Sequence, residues 1–156
     1  MDVADRSLVR EVSDVYGRRY RTGERAEDLI GHSRQWSLWA AWACMVAISP
    51  LQYGFAVLVP GLQASSGWQY TQTLWLLALF VAFQAAMTVP AAWMHRSAVA
   101  RPFQLVTAGA VLSAVGLLSL AYAGSFTAAV LGYSVAGGIG AGLVYSTCLT
   151  TSAKIA

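Results

Sequence analysis

Charge is nearly absent from most of this chain. Of its 156 residues only 11% are charged, against about a quarter in an ordinary globular domain. No Asp, Glu, Lys or Arg occurs from Gln35 to Met94, and none from Pro102 to Ala153. Blocks of this length exclude a conventional soluble domain, which needs charge to face water. The formal charge of +3 does not point to nucleic acid either. The seven basic and seven acidic residues of positions 1–34 cancel, leaving only Arg96, Arg101 and Lys154. Nucleic-acid binding needs cations clustered on a solvated face. Cysteine is also scarce. Cys44 and Cys148 lie in apolar runs with no CxxC or His-rich neighbourhood, a pattern of small buried hydrophobes. It predicts no disulfide framework and no metal site. The two histidines, His32 and His95, lie outside the apolar blocks, and His95 beside Arg96 is expected to be solvated in a loop. No Ser/His/Asp set is present, so neither an enzyme nor a cofactor is expected.

What remains is a polar tail followed by an integral membrane domain. In the tail, Leu8, Val9, Val12, Val15 and Tyr16 recur at helical spacing, which predicts a short amphipathic helix ended by Gly17. The basic cluster Arg18, Arg19 and Arg21 either stays solvated in the cytoplasm or contacts anionic lipid. Beyond the tail, about 20 apolar residues are needed to cross about 30 Å of hydrocarbon. The first block holds two such spans, about 36–60 and 73–93, and the second block two more, about 103–123 and 126–150. Residues 61–70 have loop composition, and Gly124-Ser125 forms a tight turn. The expected fold class is therefore all-α and integral to the membrane, with four transmembrane helices over 35–153. Residues 1–34 form a cytoplasmic tail and 154–156 a cytoplasmic end. Basic residues in short loops mark the cytoplasmic side. Arg96, Arg101 and Lys154 all fall there if both termini are cytoplasmic, and the other two loops have none.

With no ionisable group in any span, the uncharged polar residues carry the information. Ser49, Gln52 and Tyr53 share one face of the first span, and Pro50 between them is expected to kink it. A glutamine amide in hydrocarbon must meet protein or a water-filled cavity. Gln52 therefore either bonds a neighbouring helix or lines a pore. Gln84 and Thr88 are expected to be packing contacts. The fourth span holds Gly132, Gly137, Gly138, Gly140 and Gly142. Its small-xxx-small spacing allows close helix packing, so Gly138, Gly140 and Gly142 are assigned to helix packing. Gly138, Gly142 and Tyr145 share a face.

Ile48-Ser49-Pro50-Leu51-Gln52-Tyr53 in the first span, and Gly140-Ala141-Gly142-Leu143-Val144-Tyr145 followed by Lys154 in the fourth, resemble the oxalate/formate antiporter family of the major facilitator superfamily. Gly67-Trp68 adds to the likeness, which covers about residues 34–154. The resemblance implies the N-terminal four helices of a six-helix half. It also implies that Gln52, Tyr53 and Tyr145 bind a small carboxylate substrate. The loop from Met94 to Pro102 lacks the acid of the superfamily pattern, and the cations that hold the anion in this family belong to the second half. On this view the chain is a truncated portion of a secondary-active organic-anion transporter, inactive alone, in a bacterial inner membrane. Nine Arg against one Lys agree with a GC-rich bacterial source. The alternative is a complete four-span accessory protein that docks through its glycine-rich fourth helix.

Overall fold

The computed structural model describes residues 10–13, 19–22, 33–97, 100–122 and 124–155. The chain divides between Trp39 and Ala40 into two compact units.

The first unit holds an antiparallel hairpin. β1 (Arg10–Ser13) pairs with β2 (Arg19–Thr22), in a register that sets Val12 opposite Tyr20 and Glu11 opposite Arg21. This corrects the amphipathic helix expected in the tail. The valines that gave a helical period are β-branched, and Tyr20 and Thr22 on the second strand favour the same extended backbone. Leu8, Val9, Val15, Tyr16, Gly17 and Arg18 lie outside the described residues.

Four helical stretches are long and apolar enough to cross a membrane: Gln35–Ser66, Tyr70–Arg96, Pro102–Tyr122 and Phe126–Ala153. The first is broken. α1 (Arg34–Gln52) and α2 (Phe55–Ser66) meet at Tyr53-Gly54. Pro50 has no N–H to donate to the preceding turn, and the helix gives way within a turn of it. Gly54 is required at the break, since a Cβ there would stand 2.7 Å from the Pro50 carbonyl oxygen. α2 continues through Ser66 into the segment expected to be a loop, so the connection is only three residues long. Gly67 ends α2 at φ +67°, with its N–H on the Gln63 carbonyl, a helix stop that glycine adopts without strain.

α3 (Tyr70–Arg96) opens with a capping box between Gln69 and Gln72, which satisfies donors that a helix start leaves unpaired. Ser97 closes α3, its hydroxyl donating to the Trp93 carbonyl at 2.6 Å. α4 (Pro102–Tyr122) begins on proline, whose missing N–H costs nothing in the first turn. The fourth span is composite. α5 (Phe126–Ala129) is capped by the Ser125 hydroxyl, a π-helical segment follows over Val130–Gly137, and α6 (Gly138–Ile155) completes it.

The fourth span is the centre of the cluster. A Cβ on Gly138 would meet the Phe80 carbonyl oxygen at 2.7 Å, and one on Gly142 the Gln84 carbonyl oxygen at 2.7 Å. Both glycines thus seat α6 on α3. Gly140 faces the other way, where a Cβ would stand 2.6 Å from the Gly109 carbonyl oxygen on α4. Higher in the bundle Gly116 lies against Gly137, and Gly132 against Ser119. The register runs parallel between the second and fourth spans and antiparallel between the third and fourth. Two apolar clusters result. One joins Leu51, Phe55, Leu76, Phe80, Leu120 and Tyr133, and the other joins Ala91, Leu105 and Leu143. Large apolar side chains such as Val57, Val89, Phe103 and Leu131 point outward, as a helix wall facing hydrocarbon requires.

Candidate substrate cavity

The break in α1 leaves carbonyls of its last turn without helical partners. Tyr133, from the π segment, donates its hydroxyl to one of them, that of Leu51. The Tyr133 ring is stacked between Phe55 and Phe80, with centroids 5.1 and 5.0 Å away. Ser134 donates to the Leu76 carbonyl on α3 at 2.8 Å. Two consecutive side chains thus tie the fourth span to the first and second, and both are fully buried. A π turn changes the angular spacing of successive side chains, which turns this pair onto two different neighbours.

Beside this anchor lies a cavity of about 250 Å³ lined by Met45, Ile48, Ser49, Gln52, Tyr53, Phe80, Gln84, Ala141 and Tyr145. Gln52 and Tyr53, and Tyr145 far from them in sequence, therefore share one wall. Gln84 belongs to the same site. It was expected as a packing contact, but that part is played by its backbone carbonyl, which receives Gly142, while its side chain lines the cavity.

The polar lining divides into two kinds. Ser49 spends its hydroxyl on the Met45 carbonyl at 3.0 Å, as does Thr88 nearby on that of Ala85 at 2.7 Å. Among the described residues, the side chains of Gln52, Tyr53, Gln84 and Tyr145 make no hydrogen bond to protein. Gln52 and Gln84 are half-buried, Tyr145 is 38% exposed, and Tyr53 stands open at the mouth at 77%. Two amides and two phenols are thus available to whatever enters. No charged residue lines the cavity. Chemically it offers neutral N–H and O–H donors and carbonyl acceptors over an aromatic floor.

Two further placements differ from expectation. His95 is not a solvated loop residue. It sits in the last turn of α3, half-buried, with Nε2 3.1 Å from the buried Thr147 hydroxyl. The glycine-rich helix is not a free docking face either. The fourth span is the most buried of the four, at 56%, and Gly138, Gly140 and Gly142 are taken up inside the chain. Tyr133 and Ser134 are functional to the architecture yet gave no signal in sequence, because neither belongs to a polar stripe. No protein-family model, curated protein or solved structure matches the chain.

Proposed function

We propose that this four-helix assembly is one wall of the central cavity of a secondary-active transporter for small organic anions of the oxalate/formate type, working by alternating access. The observation that carries this is the convergence of Gln52, Tyr53, Gln84 and Tyr145 on one cavity with their polar groups unspent. Amide N–H and phenol O–H donors suit a carboxylate without setting a like charge beside it. In this scheme the Gly138/Gly142 and Gly140 contacts hold the wall rigid, and the broken first span gives it a joint at Gly54.

The wall alone is not sufficient for a dianion. Removing charge from water costs several kcal/mol per ion even after relaxation. A hydrogen bond to a charged group returns about 1.5–3 kcal/mol, and the cavity lining has no cation to supply the remainder. Reconstituted alone in proteoliposomes, the chain is expected to give no saturable exchange of labelled oxalate above empty liposomes. Fusion to an opposing half that carries a cation should restore exchange, and Gln52→Ala or Tyr145→Phe in the fusion should weaken it. Saturable exchange by the chain alone would show that the charge argument fails. Full exchange in both variants would remove those residues from the site.

A further inference from the structure

Cys44 on the first span and Cys148 on the fourth are the chain's two cysteines. Sequence placed them in separate apolar runs, and the fold brings them together. Ile48 and Tyr145 both line the cavity. Cys44 precedes Ile48 by one helical turn, and Cys148 follows Tyr145 by one. The two spans run in opposite directions, so both steps lead the same way, toward the end of the bundle that carries Arg96 and Arg101. The two thiols are neighbours there. Cys148 is buried and Cys44 half-buried.

We propose that Cys44 and Cys148 are a reversible oxidation site, closing to a disulfide that joins the first span to the fourth one turn beyond the cavity. A disulfide needs the sulfurs to approach to about 2.0 Å with suitable Cβ directions, a closure that neighbouring thiols on adjacent helical turns can reach. The product is neutral, which an apolar site accommodates without the cost of a buried thiolate or metal complex. The oxidant is a peroxide, small and uncharged enough to enter hydrocarbon. Cys44, the more accessible thiol, attacks one peroxide oxygen. The O–O bond breaks, an S–O bond forms, and water leaves with the thiol proton. Cys148 sulfur then attacks Cys44 sulfur. The S–S bond forms, the S–O bond breaks, and a second water leaves with the Cys148 proton. Two thiols lose two electrons and the peroxide gains them. Closure fixes the distance between the first and fourth spans beneath the cavity, so this wall can no longer widen there. The inference rests on helix placement and is independent of the transport proposal.

Arg34, Arg96 and Lys154 allow a test on the unaltered chain by tryptic cleavage, which methionine oxidation by the peroxide does not block. Membranes are treated with hydrogen peroxide, remaining thiols are blocked with N-ethylmaleimide, and the purified protein is cleaved with trypsin. Fragments 35–96 and 97–154 are expected to migrate as one species, lighter by two hydrogen atoms than their sum, and to separate on reduction. Cys44→Ser should abolish the joined species. Recovery of both fragments separately, with both thiols alkylated or with one over-oxidised, would overturn the proposal. So would disulfide-linked dimers in place of the internal link.

Discussion

At Tyr133 one hydroxyl and one ring do separate work. The hydroxyl serves the Leu51 carbonyl beside the helix break, and the ring fills the space between Phe55 and Phe80. Tyr133→Phe keeps the ring and removes the donor, so it should lower stability by about 0.5–1.5 kcal/mol, the usual net value of a hydrogen bond. Tyr133→Ala also empties a core site and should cost about 3–5 kcal/mol, as for other buried aromatics. Unfolding in mixed micelles of increasing denaturing-detergent content measures both, and equal losses in the two variants would contradict the division. The glycines give a second residue-scale prediction. Gly138→Leu, Gly140→Leu and Gly142→Leu each push a side chain into backbone 2.6–2.7 Å away and should reduce folded, monodisperse yield. Gly61→Ala meets nothing within 4 Å and should leave yield unchanged. Size-exclusion profiles and protease resistance of the four variants distinguish these outcomes.

Among the elements, the spans were the most legible part of the sequence. Two long charge-free blocks allow little else than membrane crossing, and the four-residue glycine spacing marked the helix that the others close upon. The boundaries were less legible. Residues 61–66 have loop composition, yet they are helical to Ser66, because no glycine there has positive φ until Gly67. The tail hairpin was hidden because valines at helical spacing also suit a strand, and strand pairing depends on residues six to twelve positions away. The π segment has no sequence signature of its own, since it is set by where Tyr133 and Ser134 find acceptors on other helices. Gln52, Tyr53 and Tyr145 were legible as polar groups in apolar spans, and one cavity gathers them. Gln84 was not, because one polar residue on a helix does not reveal whether its side chain or its backbone makes the contact. Orientation is a prediction at this scale. From Arg96 and Arg101 the connection between the second and third spans is expected on the cytoplasmic side. In a background of Cys44→Ser and Cys148→Ser, an impermeant thiol reagent applied to intact cells should label Ser65→Cys and not Ser97→Cys. The reverse pattern would invert the topology.

For the molecule as a whole, the account joins a rigid packing core to an open polar cavity. Parallel second and fourth spans, with the third antiparallel to the fourth, surround a glycine seam. The first span, broken at Tyr53-Gly54, lies where its polar face meets α3 and α6. On the proposed function, four neutral side chains with no hydrogen-bond partner among the described residues form the binding wall. Such a wall should discriminate by charge, because neutral donors offset the desolvation of one carboxylate better than that of two. The most direct measurement is the rate at which a small thiol reagent modifies Ser49→Cys at the cavity lining, in the Cys44→Ser, Cys148→Ser background in lipid nanodiscs. Formate should slow modification saturably, oxalate dianion should slow it less, and Gln52→Ala should abolish the protection. Modification at the same rate with and without formate, in both Gln52 and Gln52→Ala proteins, would contradict a carboxylate site in this cavity.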